Sequence, residues 1–529
     1  MASSDIVRLS DDILLMVFKL VCEEHQAAFD DYLQKENAFI SRHWDDWGDY
    51  SDRDYERWQF ELADLLSSGN IDDSPPRSAL SQAMSVCKHW YLLLSQTPSM
   101  WTVLEISFRE GAAALEHART FLQRSGSCLI QITLLWDDPT WIVPFDRDEI
   151  AGEGGLPPIS REEIMAGVHL AMVIQELYAH VHRWREFTLR TTSITHTYQA
   201  LSLMSRPSVH PARELVKLHL QSVHNPRHAA HYVNEPSLFL GSAPPVRDLL
   251  LFGISWAWPS SSMMSSNLVN LRIHYNAYDN EDGEILRTGA EVEMFSQFLG
   301  ALVNLRTLAL EVDLESFDTD TIELPRLHSL AIKSGSMSSW AVEFLQNVQM
   351  PDLRILTLWV ITEGPGSAEG LLDELVDLTN SEDSEDPLEL DELHLFNFAY
   401  CADAELLHRL YTQMPTVKTL TLGPGANAHN LALAMGLLPT PYGLSDLPLP
   451  GLQTLIVFDV PKHVVRRIVL ERQSLALPLE ELYYRYREGD ESEGIPDDWQ
   501  HQVEKCHRIG CLKSTRYTDV VARQWSYLV

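Results

Sequence analysis

The sequence predicts an α/β chain in two parts: a short N-terminal helical segment split by an acidic insertion, then a curved array of repeated strand–helix units. Three observations predict it. A phrase of Leu, two residues, Leu, one residue, Leu or Ile recurs along the chain, with strict copies beginning at Leu215, Leu268, Leu305, Leu327, Leu353 and Leu390. Counted with looser copies, successive starts lie mostly about 22 to 37 residues apart, the period of solenoid repeats. Helix-like segments lie between the copies, and a lone strand and helix cannot bury their apolar faces without stacking on neighbours.

At the N-terminus, the segment from Leu9-Ser10-Asp11-Asp12 to Val17-Phe18 reads as a short helix, because Leu9, Ile13, Val17 and Leu20 recur at helical steps. Asp11 and Asp12 fall in its opening turn, where negative charge suits the helix dipole. A second helical segment places Met84, Cys87, Tyr91 and Leu94 on one face and Val86, Trp90 and Leu93 on the adjoining one. Two apolar faces on a short helix leave one for its own core and one for something else. Between the two segments, residues 23–79 are rich in acidic side chains and hold Trp44, Trp47 and Trp58. Tyr55, Trp58 and Leu62 share a helical face there, and Ser67-Ser68-Gly69 and Pro75-Pro76 break the chain after them. This stretch reads as a solvated surface insertion, with an extra docking patch as the alternative.

After Trp101 the repeats begin. Several copies are introduced by Pro or Asn, as in Pro325-Arg326-Leu327 and Pro351-Asp352-Leu353. Looser copies start at Val246, Val417 and Leu452, with further ones at Trp101, Leu129, Trp184 and Leu479. Helices are expected over Ala114 to Ser125, Arg161 to His182, Glu291 to Leu302, Trp340 to Val348, Glu369 to Leu378, Ala404 to Met414 and His463 to Arg472. The result resembles a leucine-rich-repeat-like solenoid of degenerate pattern. Among the strict copies only the one at Leu268 has the Asn or Cys that such repeats place three residues after the third apolar position, as Asn276. The acidic stretches 381–386 and 488–498 read as exposed loops, since dense like charges repel in a packed interior. The expected layout is residues 5–105 for the helical part, 106–510 for the solenoid and 511–529 for a tail or capping segment.

If the second and third apolar residues of each strand point inward, the alternating residues face the open, concave side. That places Arg190, His219, Phe252, Arg272, His274, Trp359, His394, Phe396, Phe458, Tyr483 and Arg485 there. The set is rich in aromatics and bases and poor in carboxylates, as a protein-binding surface is. Cover by neighbouring loops is the alternative for several of them.

Composition narrows the function. A chain of 529 residues at 45% hydrophobic can bury a large core. A net charge of -35 would repel a phosphate backbone, so the expected partners are proteins rather than nucleic acid. Six cysteines without framework spacing fit the cytosol or nucleus. No basic leader with an apolar run and no stretch of about 18 apolar residues points to secretion or a membrane. There is no Gly-rich loop ending in Lys-Ser or Lys-Thr, no His-Glu-x-x-His and no Gly-x-Ser-x-Gly. Gly364-Pro365-Gly366-Ser367 lacks the lysine a phosphate needs and reads as a loop. Cys506, His507 and Cys511 supply three soft ligands but no fourth at a fitting spacing, so neither metal nor cofactor is expected.

The segment from Leu9 to Phe18, with Val86-Cys87-Lys88-His89-Trp90 and the following Pro98-Ser99-Met100-Trp101, resembles an F-box. Ser10 stands where that family usually has Pro, and still caps a helix well. The resemblance implies a three-helix segment that binds the Skp-type adaptor of a cullin-RING ubiquitin ligase, with the repeats capturing a protein substrate. Carried onto this chain, it makes Leu9, Ile13, Leu14, Phe18, Val86, Cys87, Trp90, Leu94 and Trp101 the adaptor-facing candidates. The implied role is a non-catalytic substrate receptor. Its rivals are an F-box scaffold or sequestering protein outside degradation and, from another class, a divergent α/β enzyme.

Overall fold

A computed structural model describes residues 10–24, 79–138, 141, 160–222, 238–239, 244–254, 267–275, 289–312, 317, 321–334, 339–360, 369–379, 388–398, 404–423, 430–438, 448–458, 460–485, 503 and 505–508. Leu9, residues 25–78 of the insertion, Asn276, both acidic stretches, Cys511 and the C-terminal tail lie outside the described residues. The chain is an α/β protein whose strands are parallel, and it divides near residue 205 into two compact units.

Among the described residues the first unit opens with three helices, α1 (11–24), α2 (Ala79–Val86) and α3 (Lys88–Ser95). Ser10 begins α1, its hydroxyl accepting the Ile13 N–H at 3.4 Å. The second helical segment is two helices rather than one, because the chain turns at Cys87. That residue is extended (φ -159°, ψ 163°), and its thiol accepts the Trp90 N–H as the cap of α3. Leu14, Phe18 and Leu94 form the buried centre of this bundle, with Leu80, Ala83, Met84, Trp90 and Met100 packed around them. The Phe18 and Trp90 rings meet edge to face at 4.7 Å.

Three strands follow, β1 (Val103–Ser107), β2 (Ile130–Trp136) and β3 (Trp184–Thr191), parallel and side by side in chain order. The helices after them are α4 (Ala113–Arg124), α5 (Arg161–Tyr178) and α6 (Ile194–Met204). Ser160 caps α5 by accepting the Glu163 N–H at 3.0 Å, with Glu162 and Glu163 favourably placed in its first turn. Arg183, buried just before β3, donates to the carbonyls of Cys128 and Leu122 and to the Ser125 hydroxyl, tying off the turn that ends α4.

In the second unit the strands of the main sheet are β4 (Lys217–Ser222), β5 (Asp248–Phe252), β6 (Asn270–Tyr275), β7 (Thr307–Val312), β9 (Ser329–Ser334), β11 (Ile355–Val360), β12 (Glu392–Phe396), β13 (Thr419–Leu422), β14 (Thr454–Phe458), β15 (Glu481–Arg485) and β16 (Lys505–Arg508). Each pairs in parallel with the next. A separate short pair joins β8 (Ile322–Glu323) to β10 (Val348–Gln349). Helices α7 (Gly289–Gly300), α8 (Ser339–Asn347), α9 (Glu369–Thr379), α10 (Ala404–Gln413), α11 (Leu431–Met435) and α12 (Lys462–Ser474) lie between strands from β6 to β15.

One register position explains this order. Leu218, Leu249, Leu271, Leu308, Leu330, Leu356, Leu393, Leu420, Leu455 and Leu482 lie directly beside one another from β4 to β15. All are buried, so the leucine phrase is the core row of the sheet, and slipping any strand by one residue would turn its leucines to the wrong face. Arg472 of α12 repeats the device of Arg183: it is buried and donates to the carbonyls of Pro448, Leu449 and Leu452 in the turn before β14. Burial pulls its pKa down to about 10, which still leaves it charged at neutral pH.

Gly253 follows β5 with φ +62°, and a Cβ there would lie 2.0 Å from the Ser222 carbonyl oxygen of β4. Gly253→Ala is expected to cost about 1–3 kcal/mol in a urea unfolding titration, since both the left-handed backbone and the overlap with main chain penalise any side chain.

Candidate binding surfaces

The side chains that alternate with the leucines form the other face of the second unit's sheet. Gln221, Phe252, His274, Glu311, Lys333, Trp359 and Phe396 occupy one register row across seven adjacent strands. From Phe252 to Phe396 they are joined by contact. Phe252 stacks on His274 at 4.1 Å between centroids, and His274 Nδ1 meets a Glu311 carboxylate oxygen. The other Glu311 oxygen lies 3.2 Å from Lys333 Nζ, which sits 4.8 Å over the Trp359 ring. Trp359 stacks in turn on Phe396 at 5.3 Å. Beyond Phe396 comes Gly423, where a Cβ would collide with the Phe396 ring, so the missing side chain makes room for it.

Glu311 and Lys333 are each only 2% exposed. Burial by itself would raise the Glu311 carboxyl, but His274 and Lys333 outweigh it and hold the group far below the usual carboxylate range.

A second polar knot lies on β4, β5 and β6. Arg272 Nη2 donates to Asp248 Oδ1 at 3.0 Å, and His219 Nε2 lies 3.3 Å from both that oxygen and Arg272 Nη2. Burial dominates at His219 and drives its pKa down to about 4, despite the hydrogen bond to Asp248. Burial also opposes ionisation of Asp248, yet His219 and Arg272 more than offset it and leave the carboxyl at about 2.

The pH consequence has a definite sign. Because folded His219 titrates well below the ordinary imidazole value of about 6.5, the unfolded chain takes up a proton that the folded chain refuses between those pH values. Stability is therefore lost as pH falls from about 6.5 towards 4, by about 2 kcal/mol at pH 5 from this residue alone. Below about pH 4 the depressed Asp248 and Glu311 carboxyls add a further loss. Urea titrations at pH 7.5 and 5 should show the first drop, and His219→Asn should reduce it.

Further along the face, His394 lies between a hydroxyl and a carboxylate: Nδ1 is 2.8 Å from Thr421 Oγ1 and Nε2 is 3.2 Å from Glu392 Oε2. A carboxylate can only accept, so Nε2 carries a proton and donates to Glu392. The order matches a catalytic relay, but Thr421 is 1% exposed, and the Gly423 N–H that could steady an oxyanion is given to the Leu395 carbonyl at 2.7 Å. The arrangement fixes the face and presents no accessible nucleophile. Tyr483, in the same register row as His394 and Thr421, stacks on His507 at 4.8 Å.

Of the residues assigned to this face from sequence, His219, Phe252, Arg272, His274, Trp359, His394, Phe396, Phe458 and Tyr483 all take the alternating positions, and so does the backbone of Arg485. Their exposure differs: Phe252, Arg272, Trp359 and Tyr483 are half-buried, whereas His219, His394, Phe396 and Phe458 are buried. Arg190 belongs to the first unit, buried on β3 with its Nη2 2.7 Å from Asp137 Oδ2. Asp248, Glu311, Lys333, Glu392 and Thr421 were missed, although each occupies an alternating position of the same leucine phrase.

The second surface belongs to the N-terminal helices. Ile13, Met16, Val17, Leu20 and Val21 of α1 are between 41% and 59% exposed. Val86 of α2 and Tyr91 and Leu92 of α3 add to the exposed apolar set. Ile13, Val86 and Cys87 from the sequence-derived set are thus exposed, and Trp90 is half-buried against Phe18. Leu14, Phe18, Leu94 and Trp101 are core residues. Met16, Val17, Leu20 and Val21 are outside that set, although Val17 and Leu20 share the helical stripe of Ile13, and spacings of three and four residues from Ile13 and Val17 mark Met16 and Val21.

Among the described residues no group of three or more His, Cys, Asp or Glu side chains could hold a metal ion, and no helix is long and apolar enough to cross a membrane. Neither the protein-family models nor the curated proteins contain a match to this chain.

Proposed function

We propose that this chain is an F-box-type substrate receptor of a cullin-RING ubiquitin ligase, in the cytosol or nucleus, with α1–α3 docking a Skp-type adaptor and a leucine-rich-repeat-like solenoid holding a protein substrate. The observation that carries the proposal is the double-sided character of α1. Leu14 and Phe18 face the bundle core, while Ile13, Met16, Val17, Leu20 and Val21 form a second apolar stripe left to solvent. Contiguous exposed apolar side chains on a folded bundle mark a contact surface, and their helical spacing suits a helical partner. The substrate face would be the alternating row of the sheet, with Phe252, Arg272, Trp359 and Tyr483 as its accessible members. Ubiquitin transfer then takes place on partner proteins through proximity, and this chain does no chemistry itself.

Leu20→Asp is the variant of choice, because Leu20 is exposed and its loss leaves the core untouched. Purified Skp-type adaptor should bind the intact chain and lose at least about 100-fold in affinity for Leu20→Asp, as burying an unpaired carboxylate in an apolar contact demands. Unchanged affinity would reject α1 as the docking surface. Failure of the intact chain to bind would favour an F-box scaffold acting outside degradation.

A further inference from the structure

Arg124, the last residue of α4, links the helical bundle to the first strand–helix unit. Its guanidinium lies 4.4 Å over the Trp101 ring and 5.9 Å from the Tyr91 ring centre. Nη2 reaches the Tyr91 hydroxyl at 3.5 Å, and Nη1 lies 4.0 Å from the Met84 sulfur. Thus α2, α3 and the turn leading into β1 all converge on a residue of α4. Trp101 completes the joint: its indole N–H donates to the Leu94 carbonyl at 2.8 Å, and its ring meets Phe121 of α4 edge to face.

We infer that Arg124 is a positioning residue that locks the α1–α3 bundle onto α4 and β1, so that whatever docks on α1 is carried at a fixed angle to the first strand–helix units. The chemistry favours a lock over a casual contact. A planar guanidinium stacks on an indole and still offers in-plane donors, and its contacts among the described residues are two aromatic rings, a hydroxyl and a thioether. Trp101 belongs to both sides at once, bonded to α3 through its nitrogen and packed on α4 through its ring. The lock itself does not depend on the identity of the docked partner; its consequence for ubiquitin transfer rests on the proposed function.

The test measures distance in the full-length protein, with bio-orthogonal spin labels on the exposed residues Glu24 of α1 and Gln123 of α4. The native chain should give one narrow distance peak. Arg124→Ala should lose it to a broad distribution, and Arg124→Lys, which keeps the charge but not the stacking plane, should lie between. Circular dichroism of each variant checks that the helices persist. An unchanged narrow peak in Arg124→Ala, or equal peaks in the alanine and lysine variants, would overturn the inference. In a reconstituted ligase, Arg124→Ala should keep its affinity for the adaptor and lose ubiquitin transfer to a substrate. An adaptor that fails to bind even the native chain would defeat the proposed function while leaving the distance result to decide the lock.

Discussion

Glu311→Ala is expected to destabilise the second unit by about 3–5 kcal/mol, the range for removing one partner of a buried ion pair. The cost would not come from the lost attraction alone. Lys333 is almost wholly buried and has Trp359 on one side and Glu311 on the other. Without the carboxylate the buried ammonium loses its counter-charge while it remains packed over Trp359, which sits in the Trp359–Phe396 stack. Glu311→Gln should fall short of the full loss, because the amide still accepts a hydrogen bond. The double variant Glu311→Leu with Lys333→Met should recover much of the stability, since an apolar pair of similar volume removes both desolvation penalties. Urea unfolding of the four proteins measures these differences. A single-variant loss below about 1 kcal/mol would mean that the pair is far better solvated than its burial implies.

Phe18→Ala is expected to be comparably severe, at about 3–5 kcal/mol, but confined to the N-terminal helices. Phe18 is 4% exposed, packs edge to face on Trp90 and shares a core with Leu14 and Leu94. Among the described residues the buried centre of this bundle is these three side chains, so removing the ring takes away a large share of it. Hydrogen exchange should show α1–α3 losing protection while the strands of the second unit keep theirs. Leu20→Ala, two residues along on the exposed stripe, should leave that protection unchanged. The contrast separates residues that hold the bundle together from those available to a partner, which the apolar pattern of α1 does not separate by itself.

Much of the fold is legible because one phrase carries two signals. The first Leu or Val of a copy, such as Leu215, Leu327 or Leu390, plugs the core just before a strand, and the alternating leucines set the register. Period-two alternation therefore sets His219, Trp359 and Tyr483 on the face opposite the leucine row without knowledge of their neighbours. It could not say how deeply they are buried, because exposure depends on what stands beside them on other strands. Glu311 and Lys333 look like surface charges in sequence, and only the pairing of β7 with β9 makes them partners.

Arg183 and Arg472 were unreadable for the same reason, since their carbonyl partners lie on distant turns. The turn asparagine was sought at one fixed offset, whereas Asn397 takes φ +59° and donates to the Val360 carbonyl from another. At the N-terminus, the stripe of Ile13, Val17 and Leu20 is genuine helical periodicity, but it marks the solvent side. Leu14 and Phe18, one position on, turn inward against α3.

The central claim is that the exposed stripe of α1 is a docking surface for a Skp-type adaptor, and the most direct test is a calorimetric titration of adaptor into the intact chain and into Leu20→Asp. Saturable binding to the intact chain with a negative heat-capacity change, absent from an equally stable Leu20→Asp protein, is the predicted result, since apolar burial leaves that signature. Equal binding by both proteins, or none by the intact chain, would contradict it.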